Sequence, residues 1–448
     1  MRFDYERENI VIVGLGMTGI SCVNFFLSKG IIPRVMDSRI TPPYLHKLSN
    51  KIKYCSLGEF NEKWLLKASL IIVSPGISLN NPKLMLAADR GIKIIGDIDL
   101  FLRETTIPVV AITGSNGKST VTSLIGKMAG FAGWRTGIGG NIGFPALVLL
   151  KNQSCQLYVL ELSSFQLETT YYMKTIKAAT VLNVHQEHIN RYPLGIEEYR
   201  KVKIKIYQQA DFCIFNAEDN MTFPDNNCTA RSITFGIDSG DYHLTYRDGN
   251  IWITAYDNLL LNCSQIQLKG LHNYMNILAA LALAKAVDIP IEACISAIKT
   301  FRGLPHRLEI VHEKNGICWI NDSKSTNPSS TQAAIEYVIE YVQCKRGGVL
   351  HLLLGGDSKN TDFMILSPLL KERKVKIYCF GKDGYKMMAI RPDVSTFTEN
   401  LEKAMYLIRN QIKPGDCVLL SPACASVDQF ENFENRGNLF TTLARKIG

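Results

Sequence analysis

Two short runs of this chain hold residue types suited to gripping phosphate. In "AITGSNGKST" (residues 111–120), Gly114, Ser115, Asn116, Gly117, Lys118, Ser119 and Thr120 lie between an apolar run and a helix-like one. Backbone amides and Lys118 can neutralise the β- and γ-phosphates of a nucleotide, and the Ser119 hydroxyl can hold Mg²⁺. Ile112 stands where the usual P-loop has its first glycine, so this loop is two residues short of the consensus. The second run, "VIVGLGMTG" (residues 11–19), carries Gly14, Gly16 and Gly19, with Asp37 closing the next strand-like segment. That is the spacing of a dinucleotide fingerprint: a tight turn, close backbone approach, and helix N-terminal amides for a diphosphate. A nucleotide sugar suits it as well as a nicotinamide cofactor, with Asp37 facing a ribose hydroxyl or a base edge.

Two further residues stand where parallel strands would end beside the short P-loop. Glu161 closes "LYVLE" and is a natural Mg²⁺ ligand at such a strand end. His188 closes "TVLNVHQEH", read as a third strand of the same sheet. A lone histidine is more often structural, and only its placement beside the other candidates gives it a chemical role. The basic run "YRKVKIKIY" (199–207) reads by default as a solvated helix face with snorkelling lysines.

These residues need strands to present them, and the chain supplies three series of strand-then-loop units. The fold expected is α/β: an N-terminal Rossmann-like domain (1–97), a central P-loop ATPase-like domain with a mostly parallel sheet (98–302), and a C-terminal Rossmann-like domain (303–448). The central series ends in "DYHLTYRDGNIWITAYDNLLL", read as strands and turns, and in a core helix around "ILAALALAKAV". With 448 residues, 46% hydrophobic and 20% charged, the composition is that of an ordinary globular protein. A net charge of +9 suits anionic small molecules, and no basic tract is dense enough to argue for nucleic acid. Twelve scattered cysteines without a C-x-x-C pair, and no signal-peptide layout, lead us to expect a reduced, cytoplasmic chain without membrane insertion.

Taken in order, "AITGSNGKST", "ELSSFQLE", "NVHQEHINRYP", "LKGLHNYMNILAALALA", "GLPHRLE", "INDSKSTN", "LLLGGDSKN" and "LLSPACASVDQFENFENRG" resemble the Mur ligases of peptidoglycan synthesis through essentially the whole chain. Within that family the motifs look like those of the members that add D-glutamate to UDP-N-acetylmuramoyl-L-alanine. The resemblance implies that the first domain holds the UDP of the sugar substrate, the central domain ATP, and the third the amino acid. Lys118 would then meet the γ-phosphate, Ser119, Glu161 and His188 would hold Mg²⁺ at two sites (or Mn²⁺ in its place), and a carbamylated Lys203 would complete the second. The residues alone do not choose Lys203 over Lys201 or Lys205.

The same resemblance puts Asn273, Asn276, Arg307 and Asp322 at the ATP. It puts Gly16, Met17, Thr18, Asp37, Arg39, Gly76, Asn141 and His188 at the UDP substrate, and Thr326, Lys359, Ser426 and Phe433, all expected in loops, at D-glutamate. Glu187 and Asn190 depart from the aspartates usual around the histidine, and bear on its orientation. The Asp-Asn-Pro-Arg motif of the diaminopimelate-adding members is missing, "GGDSKN" standing in its place. The implied reaction is amide formation through an acyl phosphate, by a monomer. Two readings compete: a nicotinamide-dependent oxidoreductase, which leaves the second loop, Glu161 and His188 without a task, and a non-enzymatic nucleotide sensor.

Overall fold

In the computed structural model, all residues are described except 1–2, 7, 153, 186–190, 340–347, 359–360 and 372. The chain forms three sheets in two compact units, Met1–Phe301 and Arg302–Gly448.

The first sheet contains β1 (Ile10–Val13), β2 (Arg34–Asp37), β3 (Cys55–Leu57), β4 (Leu70–Val73) and β5 (Lys93–Ile95), in the order β3-β2-β1-β4-β5 and parallel throughout. β1 and β4 are apolar along their whole length because helices cover both faces, the usual condition of a parallel strand. The order reverses between β1 and β4, so the segments leaving their carboxyl ends diverge and open a crevice.

The second sheet contains β6 (Val109–Thr113), β7 (Thr136–Gly140), β8 (Leu157–Glu161), β9 (Ile176–Val181), β10 (Phe212–Asn216), β11 (Arg231–Phe235), β12 (Tyr242–Arg247), β13 (Asn250–Ala255) and β14 (Asn258–Asn262). Its order is β14-β13-β12-β11-β10-β9-β6-β8-β7. The strands from β7 to β12 pair in parallel, and β12 to β14 are an antiparallel meander. Its first turn is Asp248-Gly249, both at positive φ, as a two-residue hairpin requires. β6 lies between β8 and β9, which brings the ends of three strands together. Helix Leu271–Ala286 is buried along most of its length, as the small apolar run ILAALALA within it predicts.

One apolar core runs from the first sheet into the second, including Ile12, Val23, Phe101, Tyr158 and Val181. Helix Asp97–Glu104 lies at this junction, and its Phe101 meets Tyr158 of β8 edge-on with ring centres 5.0 Å apart. The two N-terminal segments therefore pack as one body.

The second unit carries β15 (Glu309–Lys314), β16 (Ile317–Asn321), β17 (Leu350–Gly355), β18 (Val375–Phe380), β19 (Ser395–Thr398) and β20 (Cys417–Leu420), ordered β15-β16-β20-β17-β18-β19, with only β15 antiparallel. Among the described residues, no helix is long and apolar enough to cross a membrane.

Candidate active site

The first glycine turn leaves β1 at Gly14 (φ +100°), where a Cβ would lie 2.7 Å from Ser74 Oγ. The Ser74 hydroxyl in turn donates to the Gly14 carbonyl (3.2 Å). Gly16 caps helix Met17–Ser28 with no side-chain acceptor, so the first amides of that helix keep their positive end for a ligand. Asp37 holds the turn from below. Its carboxylate accepts the Leu15 amide (2.7 Å) and the Arg39 guanidinium through Nε (2.9 Å) and a terminal nitrogen (2.7 Å). Burial works to raise the Asp37 pKa, but these donors outweigh it and hold the carboxyl below its ordinary range. Asp37 thus braces the turn. Arg39, whose side chain is half exposed, is the group it presents.

Above this turn is a cavity of about 600 Å³. Gly16, Met17, Thr18, Asp37, Arg39, Gly76 and Asn141 all line it, joined by Ser74, Ile77 and Gln166. Seven of the eight residues expected at the UDP substrate are therefore gathered there. The eighth, His188, lies outside the described residues, as do Glu187 and Asn190.

The second turn follows β6. Gly114 (φ +151°) and Gly117 (φ +84°) shape it, and Gly117 caps helix Lys118–Phe131, again without a side-chain acceptor. A Cβ on Gly117 would lie 2.3 Å from Asn276 Oδ1, which places Asn276 directly under the loop. Asn273 is buried nearby in sequence and donates to the Lys269 carbonyl (2.8 Å). Ser119 and Thr120 are buried in the first turn of the helix.

Two lysines converge on this turn. Lys118 Nζ donates to the carbonyls of Gly114 and Ser115, both at 2.7 Å, and Lys203 Nζ donates to the same Gly114 carbonyl at 2.9 Å. Lys203 is only 1% exposed and its ammonium lies 4.4 Å from the Tyr199 ring centre. The solvated-face reading of "YRKVKIKIY" therefore fails for this residue. Lys201 is exposed, and Lys205 is turned to the Leu167 and Glu168 carbonyls, so the fold singles out the lysine that spacing could not.

Glu161, opposite Ile112 in the sheet, is 3% exposed. One carboxylate oxygen accepts the Asn141 amide at 2.7 Å, and the other is buried without a hydrogen-bond partner among the described residues. Such an oxygen is costly to leave bare, which fits a cation completing its shell there. No group of three or more His, Cys, Asp or Glu side chains that could hold a metal is found among the described residues.

β9 ends at Val181, earlier than the sequence reading expects, and Asn183, two residues on, reaches the loop. Its side-chain oxygen accepts the amides of Ser115 (3.1 Å) and Asn116 (2.8 Å), and its nitrogen donates to the Asn116 carbonyl (3.2 Å). Sequence reasoning passed over Asn183; the available signal was its place two residues past the strand adjoining the loop's own strand.

In the second unit, Asp322 follows β16, accepts the Ser421 hydroxyl (2.7 Å) and the Leu308 amide (3.2 Å), and is raised to about 6 by burial. The charge of Arg307 acts against that rise. Thr326 is exposed in a loop and Ser426 is buried in another. Phe433 is not in a loop: it opens helix Phe433–Ile447, its ring 3.8 Å from the Lys324 ammonium. Lys359 lies outside the described residues.

Comparison with known proteins covers the whole chain. The family domains described as "Mur ligase MurD-like, N-terminal domain", "Mur ligase middle domain" and "Mur ligase, glutamate ligase domain" match residues 8–96, 112–284 and 306–424. Proteins named UDP-N-acetylmuramoylalanine--D-glutamate ligase from Yersinia pseudotuberculosis and Escherichia coli K12 are each 53% identical over 445 residues, spanning 99% of this chain and 100% of theirs. Among solved structures, UDP-N-acetylmuramate-alanine ligase MurC from Thermotoga maritima aligns with a TM-score of 0.61 at 19% identity, over 98% of this chain and all of its own. A pseudomurein peptide ligase type C from Methanothermus fervidus aligns at 0.62 and 16%, over 99% of this chain and all of its own. At such identities the structures speak for the fold alone.

Proposed function

The chain belongs to the Mur ligase family, and from that premise we propose that it joins D-glutamate to UDP-N-acetylmuramoyl-L-alanine with ATP as the energy source, releasing ADP and phosphate. The substrate pair follows from the relatives that match from end to end. The observation that carries the chemistry is the bridge between the two turns: Asn141 lines the cavity over the first and bonds Glu161 beside the second.

A carboxylate is a poor acyl donor because expelling oxide is prohibitive. Transfer of the ATP γ-phosphoryl group converts the alanyl carboxylate to an acyl phosphate, whose leaving group is phosphate. The D-glutamate amine then attacks the acyl carbon, and the tetrahedral adduct collapses to the amide. In this reading the UDP lies on the first turn and Arg39, and the peptide end of the substrate reaches past Asn141 toward Glu161. The amides of residues 114–117 and Lys118 grip the ATP phosphates, and Lys118 offsets charge on the group in transit.

Ser119, Glu161, His188 and carbamylated Lys203 would hold Mg²⁺, which when bound supplies charge neutralisation for phosphoryl transfer. Asn273, Asn276, Arg307 and Asp322 would complete the ATP site, and Thr326, Lys359, Ser426 and Phe433 the D-glutamate site. Domain limits of 1–97, 98–302 and 303–448 go with these roles, as do a cytoplasmic location and a monomeric state.

The test is phosphate release and product formation with UDP-N-acetylmuramoyl-L-alanine, ATP and a panel of acceptors: L-alanine, D-glutamate, L-lysine and diaminopimelate. Turnover with D-glutamate alone is expected. Equal turnover with another acceptor, or phosphate release without any acceptor, would overturn the assignment.

A further inference from the structure

The cavity over the first glycine turn has a lip that is fastened from outside its own sheet. Residues 74–77, leaving β4, form this lip: Ser74, Pro75, Gly76 and Ile77 all line the cavity, and the Ile77 amide closes a turn on the Ser74 carbonyl (3.0 Å). A Cβ on Gly14 would also strike the Ile77 side chain at 2.8 Å, so the lip rests directly on the phosphate-holding turn. One guanidinium reaches it from the second sheet's side. Arg191 donates to the Ile77 carbonyl at 3.0 Å with the same terminal nitrogen that meets a Glu168 oxygen, while its Nε lies 3.0 Å and 3.2 Å from the two oxygens of that carboxylate.

This clamp is built to keep its geometry. The Arg191 and Glu168 side chains are 13% and 12% exposed. Glu168 also accepts the Tyr192 hydroxyl at 2.7 Å, and the guanidinium lies 4.9 Å from the Phe165 ring centre. A planar fork pinned by a carboxylate on one side and a ring on another has little freedom, so the second hydrogen of the shared terminal nitrogen is aimed at one place. We infer that Arg191, oriented by Glu168, is a positioning residue for the sugar-nucleotide substrate, setting the 74–77 lip over the first glycine turn. The inference rests on the reading that this cavity takes the UDP substrate. Neither residue touches the ATP loop in this arrangement, so the effect should fall on one substrate only.

The experiment measures UDP-N-acetylmuramoyl-L-alanine binding by calorimetry, with KM for each substrate, kcat and thermal melting, for wild type, Arg191→Ala, Arg191→Lys and Glu168→Gln. Arg191→Ala should weaken UDP-substrate binding about tenfold or more, with kcat at saturation and the ATP KM within about twofold of wild type. Arg191→Lys keeps the charge pairing with Glu168 but has no fork to reach Ile77 as well; it should melt near wild type and still bind the UDP substrate more weakly. It decides the matter if the alanine variant does not fold. Glu168→Gln, which slackens the clamp, should fall between. Wild-type affinity in Arg191→Lys and Arg191→Ala, or equal losses for ATP and the UDP substrate, would overturn the inference. Absence of UDP-substrate binding by wild type, or binding untouched by Arg39→Ala and Asn141→Ala, would instead remove the cavity reading on which it rests.

Discussion

The two glycine turns of the first unit share a plan and differ in what braces them. Each follows a buried parallel strand, bends at a left-handed glycine and opens a helix with no side-chain cap. Under the first, the brace is a carboxylate, Asp37, whose charge is answered by Arg39. Under the second it is the neutral amide of Asn183, and two lysines stand over the loop. The difference matches the work proposed for each. A diphosphate that is only held needs shape and a modest positive end, and a neutralised carboxylate beneath does it little harm. A phosphoryl group in transit concentrates negative charge, and a carboxylate directly under the loop would oppose it.

The comparison breaks most visibly at the lysines. Lys118→Ala should lower turnover by at least about 10²–10³-fold, the usual cost of removing one placed charge stabiliser. Steady-state phosphate release checks this, and a loss of under tenfold would remove Lys118 from the chemistry. Lys203→Ala should lose on the order of 10²-fold, and short-chain carboxylates added to the assay should restore part of it by filling the position of a carbamate. Full activity without them would mean that Lys203 serves only to tether the Gly114 carbonyl.

A smaller change sharpens the contrast between braces. Asn183→Asp keeps an acceptor for the Ser115 and Asn116 amides but puts a negative charge where the second turn has none. The ATP KM should rise about tenfold, in keeping with like-charge placement worth on the order of 1.4 kcal/mol, while the UDP-substrate KM stays put. Equal shifts in both would show that the two turns are not separate sites.

The smallest effect concerns the junction between the two sheets. Asp97 is fully buried and raised to about 6 by that burial, the hydrogen bond from Gln166 and nearby amides only partly opposing it. A carboxyl whose pKa is higher folded than unfolded favours the folded state most below its unfolded value near 3.8, and that contribution fades as pH climbs through about 6. Asp97→Asn should therefore flatten the fall in melting temperature between these limits relative to wild type. An unchanged difference between wild type and variant across that range would contradict it.

Much of this was legible in the sequence because the glycine turns are local. A strand, a positive-φ glycine and a helix start lie within ten residues, and their spacing states their purpose. The strands and turns of residues 241–261 were legible for the same reason. What the sequence left open depended on elements meeting across the fold. Lys201, Lys203 and Lys205 alternate along one short helix and the turn after it, and only the fold, which packs that helix against helix Ser164–Glu168, brings Lys203 to the Gly114 carbonyl. Asn183 acts because β9 adjoins β6, a pairing the sequence does not announce. Asp37 also braces the turn, accepting its amide and the Arg39 guanidinium, a role that its spacing does not state. The strand expected to run on to His188 ends at Val181, and His188 itself lies outside the described residues.

The central proposal is that the two glycine turns of the first unit divide the work, the first holding the UDP substrate and the second the ATP phosphates. Calorimetric titration of UDP-N-acetylmuramoyl-L-alanine and of ATP into Asp37→Ala and Lys118→Ala tests it directly. Asp37→Ala should lose UDP-substrate affinity about tenfold and keep its ATP affinity, while Lys118→Ala should bind the UDP substrate as wild type does and hold ATP more weakly. If either variant lost both ligands alike, the division of labour between the two turns would be wrong.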